Sequence, residues 1–221
     1  MLESYQDASD LYLARADEVS PYRPFFTGDY FEIDTESGWL TAAHPCAMRG
    51  REAELLDTVL VLPVQRMKSP PRADKWADGH YRHMPLPDLQ GSFRTASFDG
   101  LTRLDTSALS KDERKACLSQ FGINLLQQRM IFYLTRFEVT TAELDSAFAH
   151  TFAEADLLEE WVEATVIEND TLTASANFEK IIRSHFDDEQ TLTLQDALRV
   201  PQHRATVRQR LRRMASQHGS S

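Results

Sequence analysis

The sequence predicts an α+β protein in which a small β-barrel precedes a helical C-terminal half. Two observations support this prediction. Between about residues 25 and 105, short apolar runs are separated by Gly, Pro, Asp and Ser, a pattern typical of strands joined by tight turns. From residue 106 to residue 221, apolar residues recur at spacings of three and four, as they do in amphipathic helices.

Residues 1–24 are predicted to form an N-terminal helix and a linker. The apolar residues of this segment lie at helical spacing: Tyr5, Ala8, Leu11 and Tyr12. Proline lacks a backbone N–H and cannot continue a helix, so Pro21 and Pro24 mark its end.

Residues 25–105 are predicted to form the barrel. Four apolar runs are the candidate strands: Tyr30–Ile33, Leu40–Ala43, Val59–Val64 and Phe98–Leu104. The unbroken apolar run at Val59–Val64 indicates a strand that is buried on both faces. Short strands with such turns favour a barrel, because closure leaves few open edges.

Residues 106–221 are predicted to form a helical extension. One apolar helix face includes Cys117 and Leu118, a second runs from Ile123 to Phe137, and Gly122 lies between the two helices. Thr140 and Glu143 form a capping box that begins a longer helix, reaching about Thr165. Shorter helices are expected at about 177–186 and 193–199, followed by an Arg-rich helix near 203–214.

Charge and composition limit the function classes. The net charge of −10 argues against indiscriminate nucleic-acid binding by the whole surface. No run of about 18 apolar residues is present, so we expect no membrane span. The acidic N-terminus lacks the basic and apolar regions of a secretory signal. Two cysteines make no disulfide framework, which favours a cytoplasmic location.

An uneven charge distribution singles out the C-terminal segment. Six arginines and no acid lie between Arg199 and Ser221, whereas ten acids and no Lys or Arg lie from Glu138 to Asp170. On a helix, three of these arginines share one face: Arg204, Arg208 and Arg212. This face is predicted either to bind nucleic acid or a protein partner, or to lie against the acidic stretch.

The candidate catalytic residues are His44, Cys46 and Arg49. A cysteine thiolate is a nucleophile when a neighbouring cation lowers its pKa, and both His44 and Arg49 are suitable neighbours. On a strand that ends here, the side chains of His44 and Cys46 would share one face. The alternatives are a small buried cysteine beside a histidine at the rim of the barrel, or a binding role.

A second candidate site lies in the loop Gln65–His83. Cations alternate there with an aromatic residue, and the residues predicted to bind nucleic acid or a partner are Arg66, Lys68, Arg72, Lys75 and Trp76. Such a combination suits single-stranded RNA, whose phosphates pair with cations while its bases stack on aromatic rings. The alternative is a surface loop that its aromatic residues hold against the barrel.

No metal site and no cofactor are predicted. His80 and His83 could complete a zinc set with His44 and Cys46, but the spacing includes no Cys-x-x-Cys pair. The chain also lacks a Gly-rich phosphate loop, a Gly-x-Ser-x-Gly elbow and a His-Glu-x-x-His helix.

Taken together, several segments resemble an outlying group of PemK/MazF-like proteins, which are small SH3-like barrels. These segments are Gly28–Phe31, a strand ending at His44–Cys46, Val59–Val64, Phe98–Leu104, and a helix that includes Leu125, Arg129 and Arg136. The resemblance covers residues 25–137, about half of the chain. It implies a bacterial toxin–antitoxin or phage-defence protein.

The chain departs from the PemK/MazF ribonucleases where their cleavage residues lie. The resemblance implies an Arg-Pro at the start of a strand, but the corresponding region reads Gly38-Trp39-Leu40-Thr41 and contains no arginine. Only Thr41 could represent the Thr or Ser that acts with that arginine. Catalytic roles therefore cannot be transferred, and only Gly28, Asp29 and the His44–Cys46 element match.

The resulting functional hypothesis is a non-catalytic or regulatory barrel protein. It would act as a subunit of a toxin–antitoxin or phage-defence assembly, through a protein partner or homo-oligomerisation, and with nucleic acid as a further partner. The alternative is a metal-independent endoribonuclease with a rearranged active site.

Overall fold

The computed structural model describes residues 2–50, 54–69, 82–166, 170–187 and 191–218. The chain divides into two compact units. The first contains Met1–Pro21, Phe25–Met48 and Leu55–Ala147, and the second contains Tyr22–Pro24, Arg49–Glu54 and Phe148–Ser221. In the described part, no helix has the length and apolar character needed to cross a membrane.

The first unit is built on an antiparallel sheet that curls into a nearly closed barrel. Its eight described strands are β1 (Tyr12–Arg15), β2 (Asp29–Glu32), β3 (Ser37–Thr41), β4 (Thr58–Arg66), β5 (His83–Leu89), β6 (Ser92–Ser97), β7 (Thr102–Asp105) and β8 (Arg114–Leu118). The strand order is β1-β8-β2-β3-β4-β6-β5, and β7 also pairs with β4. The predicted barrel with a helical C-terminal half is thus confirmed at this level.

Side chains link the two end strands of the sheet. The Tyr12 hydroxyl on β1 donates a hydrogen bond to the Pro87 carbonyl on β5 at 2.7 Å. Arg15 Nη1 donates to the adjacent Asp88 carbonyl at 3.1 Å. The edge of β1 therefore meets the edge of β5 through side chains, without a ladder of backbone hydrogen bonds.

Two apolar clusters form the described cores. In the barrel, buried residues from β2, β4 and the connecting segments pack together: Phe25, Phe31, Ala43, Met48, Val59, Val61 and Leu109. Within β4, Leu60 and Pro63 are only half-buried, so the predicted burial of this strand on both faces is incomplete. In the second unit, the apolar faces of the helices enclose Trp161, Phe178, Leu198, Val207 and Leu211.

In the described residues, the helices that follow the strands are α1 (Gln120–Thr135), α2 (Thr141–Thr165), α3 (Thr171–Ile182), α4 (Leu194–Arg199) and α5 (Arg204–His218). The predicted capping box at the start of α2 is confirmed, because the Thr140 N–H donates to the Glu143 carboxylate and the Glu143 N–H donates to Thr140 Oγ1. Helix α3 begins and ends earlier than the predicted 177–186.

The predicted N-terminal helix is wrong. Residues Ala8–Leu11 form a 3-10 turn, and Tyr12–Arg15 then pair with β8 as strand β1. Leu11 and Tyr12, two of the apolar residues on which the helix prediction rested, are both buried where the turn passes into β1. The sheet therefore extends beyond the predicted residues 25–105.

Three further elements differ from the predictions. Cys117 and Leu118 lie in strand β8, not on a helix. Gly122 lies inside the first turn of α1, whose N-cap is Ser119, and does not separate two helices. The predicted strand Phe98–Leu104 begins with a 3-10 turn at Phe98–Gly100, and pairing with β4 starts at Thr102.

Candidate functional site

The loop before β2 and the end of β3 are joined by buried hydrogen bonds. Thr41 Oγ1 donates to the Phe26 carbonyl at 2.5 Å and accepts from the Asp29 N–H at 2.9 Å. Two residues later, the Ala43 carbonyl accepts from Thr27 Oγ1 at 2.6 Å. This joint brings together the Gly-Asp element and the strand that leads into His44–Cys46, the two elements that carry the PemK/MazF resemblance.

Gly28 has a conformation that suits glycine best. Its φ of +83° lies in the left-handed region, and its N–H donates to the Thr41 carbonyl at 2.8 Å. A Cβ at this position would lie 2.8 Å from Leu118 Cβ. Gly28 therefore permits the close approach that forms the joint.

Asp29 and Arg114 form a buried ion pair at the base of the joint. Asp29 Oδ2 accepts from Arg114 Nη1 at 3.0 Å, and each side chain is only 1% exposed. The same oxygen accepts from the Phe26 N–H at 2.9 Å, and Arg114 Nη2 donates to the Ser20 carbonyl at 3.0 Å. Burial of both charges indicates a structural role for Asp29. Arg114 was not anticipated from the sequence, although it is the first residue of the short, mainly apolar strand β8.

The His44–Cys46 element is a 3-10 turn, not the predicted end of a strand. His44 is the N-cap residue, and its Nδ1 accepts from the Cys46 N–H at 3.2 Å. Pro45 occupies the first turn position, where its missing N–H costs nothing. His44 and Cys46 therefore do not share a strand face.

The Cys46 thiol is exposed. The prediction of a small buried cysteine is consequently wrong for Cys46, while Cys117 is the buried one. The turn is held on both sides, because Ala43 and Met48 belong to the barrel core. Arg49 belongs to the second unit, whereas His44 and Cys46 belong to the first.

The Thr41 hydroxyl is not at a surface where it could contact a substrate. It is completely buried, and its Oγ1 is engaged with Phe26 and Asp29 as described above. We conclude that Thr41 serves the packing of the barrel.

The predicted nucleic-acid loop is described only in part. Arg66 lies at the end of β4 and forms an exposed ion pair with Glu36 at 3.0 Å. Lys68 is exposed. The other predicted residues, Arg72, Lys75 and Trp76, lie outside the described residues.

The C-terminal arginines make contacts within the second unit. Arg212 donates from Nε and Nη2 to both oxygens of Glu160, at 2.7 and 2.8 Å. These bonds lower the pKa of the Glu160 carboxyl. Arg204 Nε donates to the Leu198 carbonyl at 2.8 Å, and Arg208 is half-buried. Helix α5 thus meets the predicted acidic helix through Arg212.

A buried arginine, Arg94, was not anticipated from the sequence. Its Nη1 donates to the Tyr30 hydroxyl at 2.8 Å, and its Nη2 donates to Glu32 Oε1 at 3.2 Å and the Thr35 carbonyl at 3.0 Å. Burial raises the pKa of Tyr30 to about 12, although the positive charge of Arg94 opposes the shift. Since β2 and β6 are not neighbours in the sheet, Arg94 connects them across the barrel.

A half-buried carboxylate lies in the helical unit. Gln195 Nε2 on α4 donates to both oxygens of Glu154 on α2 at 3.1 Å. Burial raises the pKa of the Glu154 carboxyl above its ordinary value of 4.5, and the hydrogen bonds from Gln195 oppose the shift. Among the described residues, no group of three His, Cys, Asp or Glu side chains could hold a metal ion.

We expect Glu154→Gln to flatten the pH dependence of stability. Above about pH 4.5, the folded protein holds the Glu154 proton more tightly than the unfolded chain, so the free energy of unfolding falls as the pH rises through the raised pKa. The Glu154→Gln protein has no carboxyl proton to release at this position. Its free energy of unfolding should therefore rise relative to that of wild type as the pH increases from about 4.5 through the raised pKa of Glu154. Urea unfolding followed from pH 4 to 8 tests this, and parallel profiles for both proteins would contradict it.

An exposed apolar patch lies at the C-terminal end of α1. Leu134 is 61% exposed and Phe137 is 73% exposed. Arg136, between them, caps the helix in a left-handed conformation with φ +64°, and its side chain donates to the Phe132 and Tyr133 carbonyls. The patch therefore sits on a well-terminated helix end.

No protein-family model matches the chain, and neither a curated protein nor a solved structure is significantly similar to it.

Proposed function

We propose that the protein is a non-catalytic, PemK/MazF-like barrel of the SH3-like type, acting through protein contacts. It would serve as a subunit of a toxin–antitoxin or phage-defence assembly in the bacterial cytoplasm. The observation that carries the proposal is the exposure of Leu134 and Phe137, two large apolar side chains three residues apart in the chain, because exposed apolar surface is typical of interaction sites.

The barrel joint supports a role without catalysis. Asp29 and Thr41 are both buried and both engaged in bonds that hold the loop before β2 against β3. His44 Nδ1 is engaged as an acceptor in the turn. Asp29 and His44 belong to the elements that resemble the PemK/MazF pattern, and Thr41 is the nearest counterpart of the Thr or Ser that acts in cleavage. The contacts of all three residues stabilise the fold.

The contact that we propose for the patch is self-association. A twofold axis brings the same surface of both copies together, so Leu134 and Phe137 of one copy can pack against Leu134 and Phe137 of the other. An isologous contact of this kind needs no other protein and can be measured with the purified chain.

We expect the double variant Leu134→Ser, Phe137→Ser to weaken dimerisation. Loss of a buried apolar anchor costs about 2 kcal/mol or more at an interaction hot spot, so the dissociation constant should rise at least about tenfold. Sedimentation equilibrium measures the change. Leu172→Ser is the matched control, since Leu172 is also 73% exposed but lies on α3, and it should behave like wild type. A wild-type protein that stays monomeric at high concentration would contradict the contact.

A metal-independent endoribonuclease with a rearranged site is the second candidate. The exposed Cys46 thiol, two residues from the His44 imidazole in an anchored turn, favours it. Incubation of the purified protein with mixed single-stranded RNA, with and without EDTA, separates the candidates. We expect intact RNA in both samples. EDTA-resistant cleavage that Cys46→Ser abolishes, while the melting temperature is retained, would favour the ribonuclease and overturn the proposal.

A further inference from the structure

Two helices of the second unit line a cavity of about 300 Å³. Leu157 and Trp161 of α2 and Leu211 of α5 provide apolar walls, and each of these side chains is only 2% exposed. Ala164 and Ala215 also line the cavity. Because alanine has no atoms beyond Cβ, these two positions leave a space between the helices that larger side chains would fill.

The rim of the cavity carries one carboxylate that is available to a ligand. Glu160 and Arg212 both line the cavity, but they satisfy each other through the two hydrogen bonds described above. Glu163 also lines it, is exposed, and forms no ion pair with any residue in the described part of the chain. From Thr141 to Thr165, helix α2 contains no Lys or Arg that could compete for this group.

The size of the cavity limits the ligand. The cavity volume is about 300 Å³. This lies at the lower end of the range for small-molecule pockets, which are mostly apolar and have a few polar groups that orient the ligand.

We propose that this cavity binds a small organic cation with an apolar body, the body against Leu157, Trp161 and Leu211 and the charged group beside Glu163. Apolar walls favour the body, and the carboxylate favours a positive charge over a neutral or negative one. The site is independent of the proposed function, because it involves neither the barrel nor the patch on α1.

Three probes of the same shape and different charge test the proposal. Phenethylamine, 2-phenylethanol and 3-phenylpropionate are titrated separately into the full-length protein, and the Trp161 indole N–H resonance is followed by NMR. An exposed ion pair contributes little, so we expect the amine to bind about two- to fivefold more tightly than the alcohol. The carboxylate should bind most weakly. Equal binding of the three probes, or no binding of the amine, would overturn the proposal.

Variants test the two parts of the site. Ala164→Leu should fill the cavity and abolish binding of every probe, whereas Ala205→Leu, at an exposed position of α5, should leave binding unchanged. Glu163→Gln should remove the preference for the amine and retain the alcohol. Glu113→Gln, at an exposed position of the first unit, is the control for charge. An amine preference that survives Glu163→Gln, or binding that survives Ala164→Leu, would refute the assignment.

Discussion

Replacing Arg114 with Met should destabilise the barrel by about 3–5 kcal/mol, because it leaves the Asp29 carboxylate buried without its ionic partner. The variant also loses the bond from Arg114 Nη2 to the Ser20 carbonyl. Methionine retains much of the aliphatic volume, so the expected loss arises from the charge and not from a cavity. Urea unfolding with a probe in the barrel, such as Trp39 fluorescence, measures the change.

Two comparisons separate the ion pair from general effects of replacing arginine. Arg103→Met alters an exposed arginine on β7 and should change stability by no more than about 0.5 kcal/mol. The double variant Asp29→Asn, Arg114→Met removes both charges and should be more stable than Arg114→Met alone. An Arg114→Met protein as stable as wild type would show that the pair contributes nothing to the joint.

Replacing Phe178 with Ala should destabilise the helical unit by about 3–5 kcal/mol, as large truncations in a core do. Phe178 is completely buried, and its ring centroid lies 6.3 Å from that of Trp161. The truncation removes the contacts between α3 and α2 at the centre of this core. Urea unfolding followed by far-ultraviolet circular dichroism reports the helices.

Leu172 provides the matched control on the same helix. It is 73% exposed, so Leu172→Ala should change the free energy of unfolding by no more than about 0.5 kcal/mol. If the two variants were equally stable, Phe178 would not be part of the core that the structure assigns to it.

Each of the two predictions concerns residues that the sequence analysis did not distinguish as important. No local sequence signal marks Arg114, and Phe178 lies within the short helix predicted at about 177–186. Their roles depend on partners far away in the chain. Asp29 lies 85 residues before Arg114, and Trp161 precedes Phe178 across the gap between two helices.

The candidate site shows the same dependence. The resemblance drawn from the sequence rested in part on Gly28, Asp29 and the His44–Cys46 element. In the structure, hydrogen bonds from Gly28 and Asp29 to Thr41 connect the loop before β2 with the strand that precedes His44. The patterns could not show that Asp29 and Thr41 are buried, or that Pro45 begins a turn. The burial of Asp29 depends on β8, which pairs with β2 from later in the chain, and Leu118 and Ile123 close the space beside Gly28.

By itself, the sequence determined features that depend on neighbouring residues. The capping box at Thr140 and Glu143, the helices on both sides of Pro201 and the strands β2, β3 and β4 follow from local hydrogen bonding and from the period of apolar residues. These signals act within a few residues, and they are therefore readable without the fold.

Only the tertiary structure decided which segments complete the sheet. The apolar residues that lead into β1 are spaced as in a helix, but β1 pairs with β8. Strand β5 contains Pro85 and Pro87, and it tolerates them because it is the last strand in the order, where one edge needs no backbone N–H for pairing. Likewise, Arg212 meets Glu160 only when α5 packs against α2. For β1 and for Arg212 the hydrogen-bonding partner is distant in sequence, and for β5 the position in the order of the described strands leaves one edge unpaired. The choice between conformations is therefore made by pairing and burial and not by local propensity.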